Sequence, residues 1–281
     1  MAIILDGKTL AAQVKREVAG QAAARGLVPG LAVIIVGDNA ASRIYVNAKK
    51  KDCEACGIAS FEFALAADAG EAALLELIKT LNARQDVHGI LVQLPLPKGY
   101  SEQAVIQAIS PEKDVDAFHF ENVGKITTGD YIFLPCTPAG VMEILEHYGI
   151  DPAGKHCVVV GRSNIVGKPQ ALLLLHRHAT VTICHSRTPD LAAMTRQADI
   201  LVAAVGKPGL ITADMVKPGA VVIDVAINRG EDGKICGDVD FDSVEKIASH
   251  ITPVPGGVGP MTRAVLLRNT LKAAQISKEE L

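Results

Sequence analysis

The spacing of hydrophobic positions changes along the chain, from a helical period to unbroken apolar runs and back. Leu10, Val14 and Val18 recur every fourth residue after Asp6, which predicts a helix opened by that aspartate. Residues 32–36 are wholly apolar and stop at Gly37, the mark of a strand buried on both faces. Residues 42–56, closed by Gly57, read as the next helix, and Leu74, Leu75, Ile78 and Leu81 share one face of another over 71–81. A buried strand over 89–94 is stopped by Pro95 and Pro97, and a helix is expected from Ser101 to just before Pro111.

From Cys157 the alternation restarts. Strands are predicted at 157–160, 181–184, 200–205 and 221–225, with helices at 168–178 and 191–198 between the first three. After the Pro/Gly-rich stretch 253–260, Ala264, Leu267 and Leu271 give the tail from 262 to 274 one helical face, able to return to the first domain. Such alternation builds parallel sheets covered by helices. The expected fold class is α/β, as two α/β domains flanking a cleft, one made of 1–134 with 262–281 and the other of 135–261. The hinge is expected within 122–138, where polar residues, Gly124, Gly129 and two prolines gather.

Composition narrows the function classes. With 281 residues, 49% hydrophobic and 21% charged, the chain has ample material for cores, which excludes disorder over most of it. Lys and Arg number 28 against 31 Asp and Glu, a net charge of -3, so no basic excess exists to neutralise a phosphate backbone and nucleic acid is excluded as a main partner. No apolar run approaches the roughly 20 residues that span a bilayer, so no membrane partner is expected. The first residues lack the basic and apolar regions of a leader, and the six cysteines are scattered, so a cytoplasmic protein with reduced thiols is expected. An aromatic content of 4% beside 25 glycines suits a parallel α/β fold better than a sandwich.

The second half carries a nucleotide signal. Gly161-Arg-Ser-Asn-Ile-Val-Gly167 follows a predicted strand and opens a helix, where a tight turn presents free amides to an anion. Ser163 stands at the place of the usual second glycine and Gly167 one residue late, so the segment equally suits a strand-to-helix turn with a packing glycine. At the end of the next strand, where NAD sites carry an acidic residue for the ribose, stand His185, Ser186 and Arg187, with Arg162 available in the turn. Donors in place of a carboxylate suit a 2′-phosphate, hence NADP, although Arg187 alone also suits a solvated surface position. Gly206, in Ala204-Val-Gly-Lys-Pro-Gly209, can let the backbone approach a ribose or simply end a strand.

The first half carries candidate acid-base chemistry. Tyr45 and Lys49 lie one helical turn apart on one face, whereas Lys50 and Lys51 read as surface charge. Gln93 ends the strand Ile90-Leu-Val-Gln, and ligands of open α/β sheets bind at carboxyl ends of strands. Asp114 and Asp116 alternate in Lys113-Asp-Val-Asp, so in an extended chain one faces a cleft while the other caps a turn or pairs with Lys113. Cys53 and Cys56 form a C-x-x-C within a helix without a second pair and read as packing residues. His119, His176, His178 and His185 are too dispersed for a zinc site, so no metal is expected. A nucleophile elbow and a lysine-bearing phosphate loop are both absent, which argues against a serine hydrolase and an ATPase.

Together these segments resemble the bifunctional methylenetetrahydrofolate dehydrogenase and methenyltetrahydrofolate cyclohydrolase family, in its short form without a ligase domain. The resemblance runs almost end to end. It rests on Tyr45-x-x-x-Lys49, Gly89-Ile-Leu-Val-Gln-Leu-Pro-Leu-Pro97, Lys113-Asp-Val-Asp116, Pro135-Cys-Thr-Pro138, Gly161-x-Ser-x-Ile-Val-Gly-x-Pro169 and Pro253-Val-Pro-Gly-Gly-Val-Gly-Pro-Met-Thr262. It implies a folate-binding catalytic domain and a Rossmann-type parallel-sheet domain that takes NADP through Gly161, Arg162, Ser163, Ile165, Ser186, Arg187, Gly206 and Ile227. It further implies Lys49 as the central catalytic group, Gln93 orienting its amine, Tyr45 stacking on the folate, and Asp116 accepting hydrogen bonds from the pterin. Pro255, Gly256 and Gly257 would line the substrate site, and a homodimer is implied. Ala117 and Ala226 depart from the family, which usually has glycine at both, and the added methyl groups are expected to tighten pterin or nicotinamide access. Two rival readings are another two-domain NADP dehydrogenase, acting on a hydroxy acid or a shikimate-like substrate, and a catalytically silent nucleotide-binding module. The first has no need of Gln93 and Asp116, and the second none of Tyr45, Lys49 and Gln93 together.

Overall fold

The structure is a computed structural model and describes residues 1–230 and 233–279. In chain order the elements are β1 (Ile3–Ile4), α1 (Gly7–Ala24), β2 (Gly30–Val36), α2 (Ala40–Ala55), β3 (Ala59–Leu65), α3 (Glu71–Ala83), β4 (Gly89–Val92), α4 (Glu102–Ala108), α5 (Phe120–Thr128) and α6 (Cys136–His147). They continue with β5 (His156–Val160), α7 (Gly167–His176), β6 (Thr180–Cys184), α8 (Leu191–Thr195), β7 (Ile200–Ala203), β8 (Val221–Asp224), β9 (Asn228–Arg229), β10 (Ile235–Cys236), α9 (Phe241–Val244), β11 (His250–Ile251) and α10 (Val258–Glu279).

The chain divides into two compact units, one of residues 12–134 with 263–281 and one of 1–11 with 135–262. Residues 1–11 therefore fall outside the division expected at 134, because Ile3 and Ile4 pair with His250 and Ile251 of β11 in parallel. The unit boundary falls between Leu134 and Pro135, inside the stretch 122–138 where the hinge is expected, but the first half of that stretch is no linker. It is α5, capped by His119 at one end and by Gly129, at a φ of 84°, at the other. Asn122, whose polarity suggested a linker, is buried, and its amide donates to Pro111 O and to the Asp114 carboxylate. Pro135, the first residue past the boundary, is the N-cap of α6.

In the first unit β2 lies between β3 and β4, all parallel, and every residue of β2 is buried. α3 covers the sheet with Leu74, Ile78 and Leu81. β3 is an edge strand outside the predicted set, and its only signal is the alternation of Phe61, Phe63 and Leu65 with polar or small residues. In the second unit, among the described residues, six parallel strands run in the order β1-β11-β8-β7-β5-β6. β6 and β7 lie on opposite sides of β5, which makes the carboxyl end of β5 a topological switch point. No helix among the described residues is long and apolar enough to cross a membrane.

Candidate active site

The catalytic candidates of the first unit stand on elements with independent anchors. α2 starts with Asn39 accepting the Ser42 N–H, and it is clasped further along, where Asp52 meets Lys15 of α1 at 2.5 Å and Arg263 of α10 at 2.8 Å. Gln93 is held by its own backbone, since its N–H donates to Ile34 O at 2.8 Å and so extends the β2–β4 ladder by one residue. Its side-chain amide donates to Leu94 O at 2.9 Å, which turns Oε1 toward α2, and Lys49 Nζ donates to that oxygen at 2.8 Å. The two residues, 44 apart in sequence, thus meet as a built pair. Tyr45 is 37% exposed, one turn before Lys49.

The turn at 113–117 separates the two aspartates. Lys113 O accepts the Ile90 N–H of β4, and Asn269 of α10 donates to Val115 O at 2.8 Å. Asp114 is buried, and one carboxylate oxygen takes the His119 N–H at 2.7 Å and the Asn122 amide at 2.9 Å. Lys113 does not pair with it. Its Nζ instead donates to Leu81 O, Asn82 O and Arg84 O at the end of α3. Asp114 is therefore the turn-capping aspartate and Asp116 the half-buried one. Ala117 is buried and adopts a φ of 58°, so its methyl meets the backbone cost of a left-handed residue rather than an open ligand surface. Cys53 and Cys56 are free and buried, and burial pushes the Cys53 thiol up to about 12, which makes them packing residues.

In the second unit the nucleotide candidates line up along one sheet edge. Gly161 follows β5; Ser186 and Arg187 follow β6; Gly206 follows β7; Ile227 follows β8; Pro255, Gly256 and Gly257 follow β11. A Cβ on Gly161 would lie 2.3 Å from Ala204 O and one on Gly167 2.2 Å from Gly161 O, so the turn packs closer than any other residue permits. This compact strand-turn-helix, with α7 behind it, fits a dinucleotide pyrophosphate. Ser163 Oγ accepts the Val166 and Gly167 N–H groups, so the serine closes the turn in the place of a second glycine and keeps its own hydroxyl hydrogen to donate. After β6, His185 Nδ1 accepts the Arg187 N–H and Thr188 Oγ1 the His185 N–H, which leaves Ser186 and Arg187 exposed on a fixed loop. Ile165 is half-buried, Arg162 is exposed and Ile227 is 45% exposed. A Cβ on Gly257 would lie 2.7 Å from both Pro253 O and Thr252 Cβ, so the 253–257 turn also excludes larger residues.

These two constellations agree with what the chain is similar to. The catalytic-domain profile of tetrahydrofolate dehydrogenase/cyclohydrolase matches residues 5–116, and the NAD(P)-binding-domain profile of the same enzymes matches 135–278. The chain belongs to the tetrahydrofolate dehydrogenase/cyclohydrolase family. It is 59% identical over 279 residues to the bifunctional protein FolD of Magnetococcus marinus, covering 98% of each chain. Among solved structures it resembles FolD of Campylobacter jejuni, at 51% identity and a TM-score of 0.96 over 100% of both chains. It also resembles the Trypanosoma brucei enzyme complexed with NADP and an inhibitor, at 40% identity and a TM-score of 0.94, covering 99% of this chain and 98% of that one. The two activities of this family are the chain's: NADP-dependent oxidation of 5,10-methylenetetrahydrofolate to the methenyl compound, and hydrolysis of that product to 10-formyltetrahydrofolate.

Sequence reasoning missed the buried aspartates Asp224 and Asp238 at the end of β8 and in 237–239. Asp224 ends β8, buried, and accepts the Asp238 N–H at 3.0 Å and the Val239 N–H at 2.9 Å. A glycine beside an aspartate at 237–238 was the available signal, but its partners lie more than a dozen residues away. Burial raises both Asp114 and Asp224 from 3.8 to about 6, against the donors that push the other way. Between those values the native chain holds protons that the unfolded chain has released, so stability from these groups is fullest below about 3.8 and is lost as pH rises through about 6. Asp114→Asn removes one titrating carboxyl. Thermal unfolding of the variant from pH 4 to 7 is expected to show a smaller fall in stability with rising pH than the parent, and an identical slope would refute this.

Proposed function

We propose that Lys49, Gln93, Tyr45 and Asp116 perform the folate chemistry on the unit formed by 12–134 and 263–281, and that the sheet edge of the other unit takes NADP. The observation that carries this reading is the 2.8 Å hydrogen bond from Lys49 Nζ to Gln93 Oε1. Gln93 is a neutral acceptor. It fixes the direction of the lysine side chain without adding a counter-charge, so the amine can both take and return a proton.

Bound NADP supplies the acceptor for the hydride that leaves the methylene carbon between N5 and N10. The residues of this chain orient the folate for that step. Asp116 accepts the pterin N3–H and 2-amino hydrogens, and Tyr45 covers the ring, which fixes the reacting carbon. In the hydrolytic step water adds to the methenyl carbon and Lys49 takes one of its protons; the same amine then returns that proton to N5 as the C–N5 bond breaks, while the remaining hydroxyl proton leaves to solvent and the C–O bond becomes the formyl carbonyl. Beside the cationic substrate a neutral amine is favoured over an ammonium. Gly161, Arg162, Ser163 and Ile165 hold the pyrophosphate end of NADP, Ser186 and Arg187 its 2′-phosphate, and Gly206 and Ile227 its ribose and nicotinamide side. Pro255, Gly256 and Gly257 let substrate lie against backbone. The family resemblance supports a cytoplasmic homodimer.

Asp116→Asn tests the pterin anchor. The substitution keeps the shape but turns one acceptor into a donor facing the pterin donors, so both activities are expected to fall together by about tenfold or more. NADP binding should stay normal. Unchanged folate binding by calorimetry would remove Asp116 from the site.

A further inference from the structure

The loop that carries Gly206 has an anchor of unusual completeness. Asp238 is wholly buried, and its carboxylate accepts three successive backbone N–H groups, Val205 at 2.6 Å and Gly206 at 3.1 Å on Oδ2 and Lys207 at 2.7 Å on Oδ1. Asn228, just past β8, donates its side-chain amide to Oδ1 at 2.9 Å. Asp238 is itself held from below. Its N–H donates to Asp224, its carbonyl accepts the Ile211 N–H at 2.9 Å, and a Cβ at position 237 would come within 1.8 Å of the Asp224 carboxylate, so only glycine lets the two aspartates approach. The end of β8 is thereby coupled, through 237–239, to the loop that follows β7.

Three consecutive amides turned onto one carboxylate form a nest-like concavity that favours an anion inside it, and charge-assisted bonds of this kind are stronger than neutral ones. Gly206, at a φ of 76°, is part of that shape. We propose that Asp238 is a positioning residue for the cofactor: it fills the concave side of the 205–207 loop with its own carboxylate and so sets the loop's outer side in the conformation that receives the ribose of NADP. This rests on the reading of Gly206 as a cofactor contact. Asp238 is wholly buried, so its effect passes through the loop.

The two activities of the chain supply the control. Dehydrogenase turnover requires NADP, whereas hydrolysis of supplied methenyltetrahydrofolate does not consume it. In Asp238→Asn one acceptor oxygen becomes an amide donor that faces either the Val205 and Gly206 N–H groups or the Lys207 N–H and Asn228, so two of the four hydrogen bonds are lost in either orientation. The KM and equilibrium Kd for NADP are expected to rise about tenfold or more, with the hydrolytic kcat per folded molecule within about twofold of the parent. An unchanged NADP Kd, or equal losses of both activities, overturns the proposal and leaves Asp238 a structural residue. Should Asp238→Asn fail to fold, Asn228→Ala removes one of the four bonds, and the same split, smaller in size, is expected; an unchanged NADP Kd there overturns it equally. Gly206→Ala distinguishes the underlying reading. If that variant binds NADP normally, Gly206 is no cofactor contact; if it binds weakly while Asp238→Asn binds normally, the contact stands and the positioning role falls.

Discussion

Lys49→Met should abolish hydrolysis of methenyltetrahydrofolate while sparing part of the oxidation. The substitution keeps the length and the apolar stem of the side chain and removes the amine that meets Gln93. Hydride transfer depends above all on orientation, whereas hydration needs a proton taken from water and one returned to nitrogen, so the second step loses the roughly hundredfold or more that a positioned acid-base group contributes. Removing Nζ also takes from the half-buried Gln93 the donor that meets its Oε1, which loosens folate orientation and lowers the oxidation in part. Progress curves at the methenyl absorbance are expected to show the intermediate accumulating instead of draining to the 10-formyl product, with NADP binding intact. Hydrolysis at the parent rate above the buffer-catalysed background would remove Lys49 from the proton-transfer role.

The second large effect concerns the coenzyme. Ser186 and Arg187 are exposed on a loop that His185 and Thr188 hold in place, the neighbouring turn offers Arg162, and no carboxylate stands at 185–187 to accept a ribose hydroxyl pair. A charge-assisted contact to a 2′-phosphate contributes about 1.5 to 3 kcal/mol, so kcat/KM with NADP should exceed that with NAD by roughly tenfold to a hundredfold. Arg187→Ala is expected to close much of that gap by weakening NADP alone. Steady-state kinetics with both coenzymes decide it, and equal efficiency with NAD would refute the assignment of these donors.

What the sequence determined by itself is what local pattern selects. The helices that begin at Gly7, Ala40, Glu71 and Glu102, and the strands β2, β4, β5, β7 and β8, lie within a few residues of their predicted positions, because periodicity and caps act over neighbouring residues. The Tyr45 and Lys49 spacing and the Gly161 turn are legible for the same reason. Tertiary structure alone decided the rest. β1 and β11 are two residues long and carry no period, so they exist as strands only because the sheet offers partners, and through that pairing residues 1–11 join 135–262. The start of the expected hinge stretch is helix α5 and not linker, because the polar Asn122 finds its partners at Pro111 and Asp114, which no local pattern reveals. Asp114 and Asp116 are equivalent in sequence, and only the burial of one beneath the His119 N–H separates them. The Lys49–Gln93 pair spans 44 residues and the Asp238 anchor 31 to 33, and hydrogen bonds of that reach are set by how strands and loops meet in space, where sequence spacing carries no direct information.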